Sequence, residues 1–343
     1  MAPVADPDAP SVAILLPVLN EEASIDACLQ SLANQDYQGP MEILVADGGS
    51  TDDTLDRLGV WSERLPRLRI FENPERFQSA GLNLLADVTH SEILLRADAH
   101  SLYAPDYVSR SVEALERIPG SAVGGPMLAK GSSSFGKAVA IAFRSPLAIG
   151  PARFHHATKT MEADTVYLGA VRRETWDALG GMRTLPSGVA EDADFYYRLR
   201  EAGGRVMVDP AIVSTYRPRE TVGALWPQFY RYGLGKADLL FINGQFPSWR
   251  PLAPLALVLA LVAGLVLSVL GDVRLLAVSL LAWFLALGIA SRMHPLVLVA
   301  AAVMHLSYGV GLLRGLMRSP RRVRDLVLTP NPANPAPGDG IGF

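Results

Sequence analysis

Apolar and polar positions divide the chain into two unlike parts. Up to about residue 250, short apolar runs alternate with polar segments, whereas about 60 residues beyond it are nearly free of charge. The early runs have the β-branched character and turn-bounded length of buried strands: Val12 to Pro17, Glu42 to Ala46, "LRIFEN" and "SEILLRADAH". Between them lie segments of helical spacing. These are Glu21 to Ala33 through Ile25, Leu29 and Leu32, then Thr54 to Leu65 behind a capping Ser50 or Asp52, then Ser79 to Asp87. This alternation predicts an α/β domain with a mixed, mostly parallel sheet and helices on both faces. Right-handed crossovers gather the strand C-termini on one edge, where such sheets bind ligands. From Pro126 to Thr165 no periodicity is legible.

The charge-poor part contains three stretches, Leu252 to Gly271, Leu275 to Ala290 and Leu296 to Leu313, broken at Asp272/Arg274 and at Arg292/His294/Pro295. At about 1.5 Å per residue the first and third can span roughly 30 Å of hydrocarbon, and the second is marginal. Arg314, Arg318, Arg321, Arg322 and Arg324 follow, a cluster that favours the cytoplasmic side. Three crossings place that tail opposite the N-terminal domain and two place it on the same side, so two to three C-terminal transmembrane helices are expected and both counts stand. Leu225 to Phe246 carries Trp226, Phe229, Tyr230, Tyr232 and Phe241 among basic residues, as an interfacial helix would, or an ordinary core helix. The division predicted is a disordered 1–10, a folded domain 11–219, a helical linker 220–250, membrane segments 251–316, and a basic, then disordered tail 317–343.

Composition sharpens this picture in three places. A net charge of -3 offers no basic field for nucleic acid. The lone Cys28 excludes an intramolecular disulfide and a multi-cysteine zinc site. The opening "MAPVADPDAPS" has neither a basic n-region nor an apolar h-region, so no cleavable signal is expected and the folded domain should lie in the cytosol.

Carboxylates sit where chemistry is expected. Asp47 follows the strand "EILVA", Asp98 follows "EILLRA", and Glu191 and Asp192 precede the helical "FYYRLREAGG". Each alone reads as a turn or helix cap; their shared place on the ligand edge points to a site. No Gly-x-Gly-x-x-Gly follows either early strand, and "DGGSTDD" puts carboxylates where a dinucleotide pyrophosphate needs amides, which argues against a dehydrogenase. A Gly-rich Lys motif for a nucleoside triphosphatase is also missing.

The ordered set Pro17-Val18-Leu19-Asn20-Glu21-Glu22, Asp47-Gly48-Gly49-Ser50-Thr51-Asp52, Asp98-Ala99-His100, Glu191-Asp192 and Gln228-Phe229-Tyr230-Arg231-Tyr232 resembles a family 2 glycosyltransferase of the GT-A fold. The resemblance spans roughly residues 10 to 240. Within that family the "DAH" form and "QFYRYGLGKA" are most similar to bacterial succinoglycan-type exopolysaccharide enzymes. It implies that Pro17, Leu19, Asn20, Glu21 and Asp47 hold the nucleoside, often uridine, whose imide N–H needs a carboxylate acceptor. Asp98 would face the ribose or a divalent cation, Mg²⁺ or Mn²⁺, that neutralises the diphosphate leaving group. His100 stands where the common pattern has a second carboxylate; as a metal ligand it suits Mn²⁺ better, and it also reads as a polar loop residue. Asp192 matches the catalytic base, with Glu191 orienting it or touching the acceptor. One base and a cation suffice for inversion.

Gln228 and Arg231 match the Gln-x-x-Arg-Trp motif of processive members, except that Tyr232 replaces Trp. Arg231 would clamp the diphosphate, while Tyr232 and the few membrane segments favour addition of single sugars. His155 and His156 read as surface residues lining an acceptor cleft rather than as a metal site. His305, inside the third apolar stretch, should face other helices or headgroups. The implied partners are a nucleotide-sugar donor, probed first as UDP-hexose, a lipid-linked glycan acceptor, membrane lipid and envelope-assembly proteins. The implied location is the inner membrane, multi-pass. A polyprenyl-phosphate glycosyltransferase, a processive polysaccharide synthase and a non-catalytic scaffold are the competing readings; Asp47, Asp98, Asp192 and Arg231 occurring together argue against the last.

Overall fold

In the computed structural model, residues 6, 8–150, 157–245 and 251–327 are described. The first half comprises β1 (Val12–Val18), α1 (Ile25–Ala33), β2 (Met41–Asp47), α2 (Thr54–Arg64), β3 (Leu68–Glu72), α3 (Gln78–Asp87) and β4 (Ile93–Arg96). Next come β5 (Ser101–Tyr103), α4 (Tyr107–Arg117), β6 (Ser121–Gly125), β7 (Met127–Ala129), α5 (Ser134–Ala142), α6 (Pro146–Ile149), β8 (Met161–Glu162) and β9 (Tyr167–Arg172). The rest is α7 (Arg173–Leu179), α8 (Glu191–Glu201), β10 (Arg205–Val208), β11 (Ser214–Tyr216), α9 (Val222–Asn243), α10 (Leu252–Val269), α11 (Arg274–Ser291), α12 (Pro295–Leu316) and α13 (Pro320–Asp325).

Eight strands form one sheet in the order β3-β2-β1-β4-β9-β6-β10-β8. Its first four strands are parallel and β6 pairs parallel with β10, while β9 runs antiparallel to β4 and β6. Every residue of β1 is buried because both faces are covered, so the strand reads as an unbroken apolar run. Ile14 and Leu16 meet Leu29 of α1, Leu58 of α2 and Tyr107 of α4 on one face; Ala13 and Leu15 meet Leu82 and Leu85 of α3 and Phe195 of α8 on the other. A second sheet, β5-β11-β7, stands beyond the end of β4.

Two sequence expectations shift. The run "SEILLRADAH" is a strand only from Ile93 to Arg96: the chain then leaves the sheet and enters β5 of the small sheet at Ser101, which puts "DAH" in the turn between two sheets. The stretch from Pro126 to Thr165, without legible period, contains β7, α5, α6 and β8. Its pieces are short, and Ala138, Val139 and Ala142 of α5, with Phe143 just after it, are enclosed by Val297, Ala300 and Ala301 of α12, so α5 shows no polar stripe.

α10 and α12 are long and apolar enough to cross a membrane, and α11 has a shorter apolar run. The three differ in what they touch. Much of α10 and α11 is exposed, including Val269 and Ile289, whereas α12 buries ten residues, from Val297 to Gly315, largely against α9 and α5. Glycines permit this approach. A Cβ on Gly311 would stand 2.0 Å from the Tyr230 carbonyl oxygen, and one on Gly233 would stand 2.2 Å from that of Tyr308. Gly311→Val should therefore prise α12 from α9 and cost about 1–3 kcal/mol, read as a lowered Tm of the detergent-purified protein. Gly59→Ala, with open space at its Cβ position, is the matched control and should not lower it. His305 meets the expectation for it: Nε2 lies 3.0 Å from the Leu147 carbonyl oxygen of α6 and Nδ1 accepts from Trp283 Nε1 at 3.3 Å.

Candidate active site

The site is assembled at the C-terminal ends of β1, β2 and β4. Beyond β1 the chain turns at Asn20, whose φ of +56° is tolerated by its short polar side chain. Asn20 N–H donates to Ser50 Oγ at 2.9 Å, and Asn20 Oδ1 accepts from Thr51 N–H at 2.8 Å. Glu21 N–H donates to Thr54 Oγ1 at 2.7 Å. These bonds occupy residues 20–24, so α1 begins at Ile25 rather than at Glu21. Pro17 is buried in β1, while Leu19 and Asn20 are exposed at the mouth.

Asp47, the last residue of β2, is 4% exposed. Its carboxylate accepts from Gly49 N–H at 2.9 Å, from Ser50 N–H at 3.1 Å and from Ser50 Oγ at 2.6 Å. Asp47 thus organises its own loop, the turn role weighed from the sequence. A carboxylate has about four acceptor sites, so room for one further donor remains. Gly49 has φ +82°, and the Arg76 guanidinium lies where a Cβ on Gly49 would stand 3.0 Å from Nη2. Arg76 carries no motif, and only the fold brings it to this loop.

At the end of β4, the Asp98 backbone is clamped by Tyr103: Asp98 N–H donates to the Tyr103 hydroxyl at 2.7 Å, and that hydroxyl donates to Asp98 O at 3.2 Å. Asp98 Oδ1 accepts from Gln78 Nε2 at 3.4 Å. His100, two residues on, faces Glu21 across the cleft, with Nε2 3.0 Å from Glu21 Oε1. Burial disfavours the charged imidazole, yet the hydrogen bond and charge of Glu21, backed by Asp98, outweigh it and raise the His100 pKa. The stabilisation this pair contributes is fully present below the unfolded imidazole value, about 6.5, and is lost as pH rises through the higher folded value. Glu21 also accepts from Ser24 Oγ at 2.5 Å. Glu21, expected among the nucleoside contacts, is thus engaged by His100 and Ser24.

Glu191 and Asp192 open α8, where the helix dipole favours negative charge. Ala190 just before them has φ +71°. Glu191 is buried and its Oε1 lies 3.2 Å from Nη1 of Arg96, itself mostly enclosed. Asp192 is half-buried, with Oδ1 accepting from Ala193 N–H at 2.7 Å. Burial, with the charges of Asp192 and Asp98, raises the Glu191 pKa; Arg96 opposes the shift without cancelling it. Burial would lower the Arg96 pKa, but Glu191, Asp192 and Asp98 together raise it, which keeps the guanidinium charged among the three carboxylates. Arg96 was missed from the sequence because an arginine two residues before Asp98 has no spacing signature. Further along α8 lies a second unsignalled pair: Asp194, fully buried, accepts from Arg198 Nε at 2.9 Å, and Arg198 donates to the Leu179 and Gly181 carbonyls that shape the turn after α7.

α9 closes the other side. Gln228 Nε2 donates to the hydroxyls of Tyr216 at 2.9 Å and Tyr232 at 3.0 Å, so the Tyr in place of Trp is held by its hydroxyl. Gln228 Oε1 is buried with no protein partner. Arg231 is exposed and donates to the Gly188 carbonyl at 3.3 Å, in the loop that leads to Asp192. His155 and His156 lie outside the described residues. No three or more His, Cys, Asp or Glu side chains cluster closely enough to hold a metal by themselves among the described residues. The Asp98 carboxylate nevertheless fits a hard cation whose remaining ligands are substrate phosphates and water, since Mg²⁺-type sites often use one or two carboxylates; His100 could join only as a neutral imidazole released from Glu21.

The model of the family described as Glycosyl transferase family 2 matches residues 13–177. Over 320 residues the chain is 32% identical to the succinoglycan biosynthesis protein ExoA of Rhizobium meliloti (strain 1021), covering 90% of this chain and 96% of that one. It is 27% identical over 243 residues to a Methanococcus voltae dolichyl N-acetyl-alpha-D-glucosaminyl phosphate 3-beta-D-2,3-diacetamido-2,3-dideoxy-beta-D-glucuronosyltransferase, covering 68% of this chain and 75% of that one. Among solved structures, the mannosyltransferase PcManGT of Pyrobaculum calidifontis, in complex with GDP-Man and Mn²⁺, superposes with a TM-score of 0.59 at 24% identity, covering 88% and 89% of the two chains. The fold, with β9 antiparallel inside an otherwise largely parallel sheet, is thus the GT-A fold. The chain belongs to glycosyl transferase family 2 and is a glycosyltransferase.

Proposed function

We propose that this enzyme transfers a hexose from a nucleotide sugar, with inversion, to a glycan carried on a membrane lipid during exopolysaccharide or envelope assembly. The observation that carries this reading is the charge cluster around the enclosed Arg96, which is bonded to Glu191 and lies within the electrostatic reach of Asp192, at the start of α8, and of Asp98, just past β4. Asp192 accepts the proton of the acceptor hydroxyl; that oxygen bonds to the anomeric carbon as the bond to the diphosphate breaks on the opposite face. Glu191, tied to Arg96, orients the pair. Pro17, Leu19, Asn20 and the Asp47 loop receive the nucleoside, and Arg231 with Gln228 faces the diphosphate or the acceptor. Asp98, and His100 once its imidazole is neutral and released from Glu21, would hold a divalent cation, which would supply charge neutralisation to the leaving group. The named relatives support the acceptor class, one by its place in succinoglycan synthesis and one by a dolichyl-phosphate-linked acceptor.

The membrane reading has two crossings, by α10 and the shorter but largely exposed α11, while α12, long enough to cross, is instead folded back on α9, where it buries ten residues. Supporting it, Arg318 just past α12 bonds to Asp238 of α9, so the basic tail stands beside the catalytic domain. Because Cys28 is buried and is the lone cysteine, single-cysteine labelling can test this. A membrane-impermeant maleimide should modify Arg322→Cys only in cytosol-out vesicles and Gly271→Cys only from the outer side. Labelling of both from the same side would sink the two-crossing arrangement.

The reaction itself is tested with detergent-purified full-length protein, a panel of nucleotide hexoses beginning with UDP sugars, and a bacterial lipid-linked glycan extract, with and without Mn²⁺ or Mg²⁺. Release of nucleoside diphosphate with label entering the lipid-glycan fraction is the expected result. Label on polyprenyl phosphate alone would replace the acceptor assignment, and long polymer would replace single-sugar transfer.

A further inference from the structure

The residues leading into Asp192 are held by groups far along the chain. The loop from Leu185 to Ala190 has two residues at positive φ, Gly188 at +66° and Ala190 at +71°. For a residue with a Cβ, that conformation costs free energy unless its surroundings hold it. α9 provides the hold at three points. Asp238 Oδ2 accepts from Ser187 N–H at 2.9 Å, Arg231 donates to the Gly188 carbonyl, and Gly235 leaves room for Val189 and Ala190, each with a side-chain carbon 3.0 Å from where a Cβ on Gly235 would stand.

Asp238 is fully buried, and its other oxygen, Oδ1, accepts from Arg318 Nη2 at 2.6 Å. Arg318 also donates to the Leu234 carbonyl at 3.1 Å. Arg318 is supplied by the segment after α12, 80 residues away in sequence. The proposed transfer does not use it directly. A carboxylate with no exposure needs a charged partner to remain an acceptor on both oxygens. Burial pushes the Asp238 carboxyl up, and Ser187 and Arg318 pull against that shift. Without Arg318 the buried group would protonate or turn away, and the Ser187 anchor would loosen.

We infer that the Arg318–Asp238 pair is a positioning device for the catalytic base: the segment that follows α12, behind the membrane helices, sets the loop that delivers Asp192. This rests on the reading of Asp192 as the base. Neither residue is hydrogen-bonded to Asp192; both act through Ser187 and α9. Transfer would then depend on α12 being seated on α9, so detaching the C-terminal helices would slow turnover without removing any group from the site.

The test uses full-length protein in detergent. Arg318→Ala and Asp238→Asn should each lower kcat by about tenfold or more, with donor KM changed by less than about twofold. The double variant should be no slower than the slower single, as for two ends of one contact. Arg318→Lys should recover part of the loss, and Arg322→Ala, on the exposed face of α13, should behave as wild type. Independently of activity, hydrogen exchange of the amides from Ser187 to Asp192 should speed up in Arg318→Ala. Where that variant does not fold, Arg318→Gln, which keeps the stem and a donor without the charge, takes its place. A fall in Tm with kcat per folded molecule unchanged would overturn the inference, as would multiplying losses in the double variant or unchanged exchange in the loop. If the wild type transfers no sugar to any acceptor, the assignment of the base fails, while hydrogen exchange still decides whether the pair holds the loop.

Discussion

Asp192→Asn should lower kcat by about 10²–10⁴-fold, the usual contribution of a positioned general base, while donor affinity stays within a few-fold. The amide nearly matches the carboxylate in size and can still accept from Ala193 N–H, so the start of α8 should remain intact. What it cannot do is take a proton from the acceptor hydroxyl. Single-turnover rates with a bound donor separate this from a binding defect. Wild-type flux in the variant would return the chain to a scaffold role or move the base to Glu191, and Glu191→Gln would distinguish the two. The second outcome is the less expected one, because Glu191 is buried and bonded to Arg96, whereas Asp192 is the more exposed of the two carboxylates.

Arg96→Met should cost about 3–5 kcal/mol of stability at neutral pH, the scale for removing one partner of a buried ion pair. Both side chains are largely out of water, at 13% and 7% exposure, so solvent does little to replace the lost contact. The sign of its pH dependence follows from Glu191. The folded-state pKa of that carboxyl is already raised, so its stabilisation is full below the unfolded value and lost as pH rises through the folded one. Losing Arg96 raises it further, so the variant's deficit should be largest at neutral and alkaline pH and shrink as the medium is acidified and Glu191 protonates. Urea unfolding of the purified protein across pH 5–8 measures this. Arg96→Met combined with Glu191→Gln should regain much of the loss, since no unpaired charge then remains between them. A pH-independent deficit, or a double variant worse than Arg96→Met alone, would show that Arg96 acts by packing rather than by charge.

Much of the α/β framework was legible because doubly covered strands read as short apolar runs bounded by turns and amphipathic helices repeat every 3.6 positions, and both patterns are written locally. β1 to β3 and α1 to α3 lie within a few residues of their expected bounds. The motif carboxylates were visible because strand ends announce the ligand edge. The partners of those groups were not visible. His100 was read as a ligand and is found against Glu21, 79 residues earlier, and Asp47 proves to be the organiser of its own loop. Arg96, Arg76 and Asp238 lack spacing motifs; each acquires meaning only from what packs against it.

By itself, then, the sequence determined the class of the fold, the family, the edge at which the carboxylates collect and the existence of an apolar C-terminal region, all properties carried by short-range pattern. Only the tertiary structure decided that β9 inserts antiparallel, that α12 lies along α9 while α10 and α11 stand out, and that Arg96 and Arg318 supply the charges beside Glu191 and Asp238. The physical reason is that a charge pair or a glycine-to-carbonyl approach costs nothing in local pattern. It is set by distance in space, and residues 80 apart in the chain share no period that would announce it.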